Sequence, residues 1–157
     1  MVFLTGDSHS FWANQLADAG GRPAGVELGT AGITSPGDFI SSGFGPELSV
    51  KLDKVFTDHN PEVVWTDNMH QGYVRLELTR GGGEASFVAV DTILQPDYRT
   101  SVLTRFALER QDGSVGTASI AETGSKGMEL GSIVSAHDML TSFLEFMNMF
   151  FFCSGNR

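Results

Sequence analysis

A chain of 157 residues, 41% hydrophobic and 18% charged, is long enough to bury one domain core and is not the composition of a disordered segment. The 10 Lys and Arg against 19 Asp and Glu leave a net charge of −9, which repels phosphate backbones and argues against nucleic-acid binding. The same charge fits an anionic substrate only where cations supply the positive field.

Val2, Phe3 and Leu4 read as the end of a buried strand, with Gly6 permitting a sharp turn after it. Residues 10–18 read as a helix with Phe11, Ala13 and Leu16 inward, ended by Gly20 and Gly21. Ala24 to Leu28 read as a second buried strand. The Gly-, Pro- and Thr-rich stretch 29–46 reads as one long loop, a packed connection whose Thr30, Thr34 and Ser35 are also placed to meet substrate oxygens. Residues 46–58 open on Pro and carry Leu48, Leu52, Val55 and Phe56 at helical spacing, so an amphipathic helix is predicted. Val63 to Trp65 is a short strand. Residues 73–78 alternate, Gly81 to Gly83 turn the chain, and 85–94 pair back as a hairpin. Residues 100–109 read as another strand, although a helix also suits them. The Gly-, Ser- and Thr-rich segment 111–135 reads as a linker, and 136–157 holds an apolar helix, Met139, Leu140, Phe143, Phe146, Met147 and Phe150 forming its stripe.

Chemistry concentrates where the first strand ends, in Gly6-Asp7-Ser8-His9. A carboxylate and an imidazole one residue apart, on a turn at a strand's carboxyl end, suit one divalent ion or two adjacent ones. The same residues also suit an Asp that caps the following helix beside a surface His. His59, His70 and His137 lack neighbouring ligand types at metal spacing and read as surface or structural. Asp67 and Asp91 have the residue type for acid–base work, but turn and edge roles fit their positions better. Cys153 stands alone, so no internal disulfide forms. No run reaches the ~18 apolar residues of a membrane span, and no basic and apolar signal-peptide pattern opens the chain.

The segments VFLTGDSHSFW (2–12), VELGTAGITSPGDF (26–39), NPEVVWTDNMHQGYVRLELT (60–79) and VAVDTILQPDYRTSVLTRFALER (88–110) together resemble the C-terminal part of the PhoD-like alkaline phosphatases, in the calcineurin-like metallophosphoesterase superfamily. The resemblance covers about residues 2–110, and its most specific parts are GD-x-H-x-x-W and G-T-x-x-x-S-P-G. It implies an α/β fold: a mixed, largely antiparallel sheet with flanking helices, as in the C-terminal half of a metallophosphatase αββα sandwich. It implies metal-dependent hydrolysis of phosphate mono- or diesters, with two metal ions, iron and calcium. Asp7 and His9 take the place of the superfamily's final Gly-His-x-His motif and are the implied metal ligands. Such enzymes are typically exported, to the periplasm or beyond the cell.

The family's other metal motifs lie upstream of this stretch and are not in the chain, which starts at a Met just before the strand carrying the last one. The expectation is therefore a truncated part of the enzyme, inactive by itself. Residues 1–110 form the phosphatase part, and the partner is a missing N-terminal half or a second copy. The alternative is a noncatalytic remnant or interaction module that dimerises through an exposed apolar face.

Overall fold

The computed structural model describes residues 1–110 and 118–125. Their strands form two four-stranded sheets. The first holds β1 (Val2–Thr5), β2 (Phe11–Ala17), β3 (Pro23–Gly29) and β4 (Val63–Asp67), in the order β1-β3-β2-β4. Only β1 and β3 run parallel; β2 is antiparallel to both β3 and β4. The second is an antiparallel meander of β5 (Gln71–Leu78), β6 (Gly82–Val90), β7 (Thr100–Arg110) and β8 (Ala118–Ser125). Two helices, α1 (Asp38–Ser41) and α2 (Pro46–His59), lie between β3 and β4 in the chain. The expected α/β class with largely antiparallel pairing is observed, divided over two sheets.

The stretch 10–18 corrects the sequence reading: it is a strand, not a helix. Phe11 and Ala13 are buried while Trp12 and Asn14 are less so, a period of two rather than 3.6. Ala13 pairs with Leu28 on one side and Trp65 on the other, so β2 is central and hydrogen-bonded on both edges. Short polar residues and Ala gave the segment a helical look that tertiary pairing overrides. The 29–46 stretch is likewise not a single loop, since α1 interrupts it. Residues 118–125, read within the linker, pair with β7 as β8. The other residues of that linker and the apolar helix at 136–152 lie outside the described residues.

The two sheets pack face to face around aromatic rings. Phe11, Ala13, Val26 and Leu28 of the first sheet form one buried cluster with Ala85, Phe87, Phe106 and Leu108 of the second. Phe87 is the hub: its ring lies 5.6 Å from Phe11 and 5.7 Å from Phe106, both edge-to-face, and 4.8 Å from Trp65. Burial of each such ring contributes about 1.5–3 kcal/mol, with ~0.5–1.5 kcal/mol more for favourable ring pairs.

Helix α2 covers the opposite face of the first sheet. Trp12 meets Phe56 there at 5.1 Å, and Phe39 of α1 reaches Phe56 at 6.2 Å. Gly29 pairs with Trp12, and a Cβ on Gly29 would stand only 3.0 Å from the Trp12 side chain, so a glycine is what lets the indole lie there. The expected stripe of α2 is half right. Leu52 and Phe56 are turned inward, but Leu48 and Val55 are exposed and Ser49 is buried in their stead. The layers are thus helices, sheet and sheet. Among the described residues no helix covers the second sheet, and none is long and apolar enough to cross a membrane.

Candidate functional site at the strand ends

Topology gathers one set of turns at one end of the first sheet. β1 ends at Thr5, β3 at Gly29 and β4 at Asp67, while β2 starts there at Phe11, whose partner is Asp67. Beyond these ends lie three segments: residues 6–10, the loop 30–37, and the turn 68–70 that leads into the second sheet. They are bonded to one another. Thr30 N donates to Thr5 O at 3.0 Å, and Gly72 N donates to Gly32 O at 3.0 Å.

The first segment carries Asp7 and His9, and both have left-handed backbones, with φ of 73° and 51°. This corrects the role given to Gly6, which has no positive φ; the sharp turn is made by the two functional residues themselves. Only a few per cent of non-glycine residues sit in this region, though Asp and His do so more readily than most. Two within three residues curl the chain so tightly that the strand cannot continue. Trp12 secures the curl from below, its indole N–H donating to Ser8 Oγ at 3.0 Å.

His9 is half-buried, and its ring is oriented. Nδ1 lies 3.2 Å from Pro36 O and 3.5 Å from the Asp38 carboxylate. A carbonyl oxygen only accepts, so Nδ1 carries the proton in that bond, and in the neutral ring Nε2 then holds the lone pair. Asp7 is exposed, and among the described residues no hydrogen bond or ion pair engages its carboxylate. It does not cap a helix, because none follows it. Of the loop residues, Thr34 is exposed, whereas Thr30 and Ser35 are half-buried.

A second group of polar side chains lies at the same end, and the sequence reading missed it. Asp67 accepts from Met69 N at 3.0 Å and His70 N at 2.7 Å, and its other oxygen lies 2.8 Å from His70 Nδ1. Burial disfavours charge on Asp67, but the His70 ring and these backbone N–H groups outweigh it and hold the carboxyl below its usual range. Burial acts on His70 in the opposite sense and is likewise outweighed, so Asp67 raises the imidazole above its ordinary value. Asp53 of α2 accepts from both the backbone N–H and the side-chain amide of Asn68. Burial nevertheless pushes Asp53 up to about 6, with the negative Asp67 adding to it. His70 is therefore structural, one of the two roles its sequence context suggested: a half-buried partner of Asp67. The Asp-x-x-His spacing on a turn was its one signal in the sequence.

The remaining candidates play the parts their surroundings give them. His59 Nδ1 bonds Val55 O at 3.0 Å, at the last turn of α2. Asp91 bonds Arg99 N at 2.8 Å and closes the loop between β6 and β7. Glu27 accepts from Asn14 Nδ2 at 3.1 Å. His137 and Cys153 lie outside the described residues. Among the described residues no three His, Cys, Asp or Glu side chains gather as a metal cage.

The acidic and histidine-bearing turn thus lies beyond the carboxyl ends of the parallel strands β1 and β3, where α/β sheets commonly place ligand sites. The family model described as PhoD-like phosphatase matches residues 1–87, more than half of the sequence, and the chain belongs to that family. Among solved structures it is similar to one titled "Structure of PhoD", at 21% identity and a TM-score of 0.63. That similarity extends over 94% of this chain and 27% of the other, so the chain spans little more than a quarter of the neighbour's length. No curated protein matches.

Proposed function

We propose that this chain carries part of the site of a metal-dependent phosphate-ester hydrolase of the alkaline phosphatase D type, with Asp7 and His9 as its metal ligands. The observation that carries the reading is the pair of left-handed backbones at Asp7 and His9. Unfavourable backbone of this kind persists where the surroundings hold it, and functional sites are where it collects. Family membership supports a phosphatase; the substrate class we propose, phosphate mono- or diesters, is the one the resemblance implies.

The two side chains suit the metals that the resemblance implies. An unengaged carboxylate is a hard oxygen donor, as calcium prefers, and a neutral imidazole presenting Nε2 suits iron. Pro36 O fixes the His9 ring from behind, the usual way in which a ligating histidine is oriented. When bound, a pair of such ions would neutralise the phosphoryl oxygens and supply hydroxide near neutral pH. The residues of this chain do the rest: Asp7 and His9 hold, Pro36 and Asp38 orient, and the 30–37 loop forms one wall.

The test is titration of the 157-residue chain with Mn²⁺ alone, followed by amide NMR. Selective broadening at residues 6–10 is expected, weakened by Asp7→Asn. Broadening spread evenly over the acidic surface would sink the reading.

One observation favours a second reading, a noncatalytic module that dimerises. Among the described residues β1 is an edge strand, its Phe3 and Leu4 44% and 65% exposed, and an edge of this kind is open to pairing. Concentration-dependent light scattering that disappears in Leu4→Lys would favour it; a monomer at all concentrations would remove it.

A further inference from the structure

We infer that Gln71 is a positioning residue for the site, acting on His9 through the 30–37 loop. The inference rests on the reading of His9 as a ligand and names what holds that ligand in place.

Gln71 is the first residue of β5, so its backbone belongs to the second sheet while its side chain reaches the turns at the end of the first. The carboxamide takes the orientation that satisfies both of its ends. Its N–H groups then donate to Gly32 O at 3.1 Å and Ser35 O at 2.7 Å, and its oxygen accepts from Gly37 N at 2.9 Å. The reverse orientation keeps one bond, from the amide N–H to His9 O at 3.4 Å, but sets the oxygen against the Gly32 and Ser35 carbonyls and the nitrogen against the Gly37 N–H. One side chain thus ties three backbone groups spread across six residues of a loop that has no sheet ladder of its own. The next residue adds a fourth tie, Gly72 N to Gly32 O at 3.0 Å.

Pro36 lies between two of the residues that Gln71 grips, Ser35 and Gly37. Its carbonyl is the acceptor that holds His9 Nδ1 at 3.2 Å. If the grip is removed, Pro36 O loses its fixed position. The His9 ring then loses what sets its tautomer. The loop is also pressed on the His9 main chain: a Cβ on Gly37 would stand 3.2 Å from His9 O and 3.1 Å from the Gln71 carboxamide.

Gln71 is itself anchored. The turn before it is locked by the Asp67–His70 pair and by Asp53 of α2 on Asn68. A Cβ on Gly72 would overlap the Val88 carbonyl, so the strand following Gln71 is set tightly against β6. A side chain anchored on both flanks and aimed at a loop is built to hold that loop. An incidental surface glutamine has neither anchor.

The test compares the full chain with Gln71→Leu and with Gln71→Glu. Glu keeps an acceptor for Gly37 N but faces Gly32 O and Ser35 O with oxygen; it replaces the Leu variant should that one fail to fold. The first readout is the His9 tautomer in metal-free protein at pH 8, from ring ¹⁵N shifts. Wild type is expected to hold its proton on Nδ1, and both variants to show a mixture, with far-UV spectra unchanged. The same tautomer population in wild type and variants would overturn the inference.

The second readout is Mn²⁺ affinity, expected to fall about tenfold or more, the usual cost of losing a ligand's supporting bonds. Equal affinity in wild type and variants would also overturn it. A wild type that takes up no Mn²⁺ at the 6–10 turn defeats the ligand reading instead, and the tautomer comparison then decides the role of Gln71 by itself.

Discussion

Two carboxylates a short distance apart in the fold, Asp53 and Asp67, are driven in opposite directions by their surroundings, and each direction has a consequence for stability. Asp67 is held below its ordinary value and His70 above its own. A lowered carboxyl stabilises the fold above its unfolded pKa, and that contribution is lost as pH falls through the lowered value. A raised imidazole stabilises below its unfolded pKa, and the contribution is lost as pH rises through the raised value. The pair therefore contributes most between about pH 4 and 6.5, the ordinary values of the two groups. Asp67→Asn should destabilise by roughly 1–3 kcal/mol at pH 5.5 and by less at pH 9, where the imidazole is neutral, as read from urea midpoints. An equal loss at both values would mean that the ion pair adds nothing to the turn geometry. Asp53 works the other way. With its carboxyl raised to about 6, ionisation is disfavoured in the folded state, so on its account stability falls as pH rises from about 4 to 6. Asp53→Asn keeps an oxygen for the two Asn68 N–H groups and removes the charge. It should raise the melting temperature at pH 8 and leave it unchanged near pH 3.5. A lower melting temperature at pH 8 would show that the charge itself holds Asn68.

At the scale of elements, the aromatic hub and the outer face of α2 make contrasting predictions. Phe87 is fully buried against Phe11, Trp65 and Phe106, so Phe87→Ala should cost about 3–5 kcal/mol. Leu48 is 47% exposed on α2, and Leu48→Ala should stay within about 0.5 kcal/mol despite the helical stripe that placed it inward. Chemical denaturation of the two variants decides, and a comparable loss in both would mean that the outer face of α2 is covered in solution. The same contrast explains what the sequence made legible. β5 was readable because its residues alternate, and β6 because a run of glycines, two of which open it, marks the turn before it. α2 was readable because Pro46 opens it, yet only half of its inward face was, since Asp53 turns inward to hold Asn68 and the small Ser49 is buried with no partner for its hydroxyl, neither of which a hydrophobic stripe can show. β2 was hidden by its short polar residues, and only its pairing on both sides reveals it. The Gly-Asp-Ser-His motif was legible as a turn at a strand end, where the left-handed backbones of Asp7 and His9 are found. Gln71 was not, because a lone glutamine before Gly-Tyr gives no sign that its carboxamide spans a loop 34 to 39 positions earlier.

For the whole molecule, what counts is how much of a catalytic centre one chain can hold. Hydrolysis by paired ions relies on holding them about 3.5–4 Å apart, so that the attacking and leaving oxygens are stabilised together. On the proposed reading Asp7 and His9 would give each ion one protein ligand, and among the described residues no three acidic, histidine or cysteine side chains gather in a cage. Ions held so loosely are poorly placed, and misplacement by even an ångström costs about 100-fold in rate. The surface adds to the difficulty. With a net charge of −9, the protein repels a phosphate ester unless bound cations reverse the local field. The chain alone, supplied with iron and calcium, should therefore release p-nitrophenol from its phosphate ester at alkaline pH no faster than Asp7→Ala does. Turnover well above that control would show that the chain completes its own site. The geometry then names the residue to examine first. Glu27 is engaged by Asn14, and both oxygens of Asp67 are taken by its own turn. Asp38 has its side chain 68% exposed and lies 3.5 Å from His9 Nδ1. Of these carboxylates it is the one beside the imidazole, on the Nδ1 side from which it orients the ring, and Asp38→Asn should lower any such turnover by loosening that orientation while leaving the melting temperature within a few degrees of wild type.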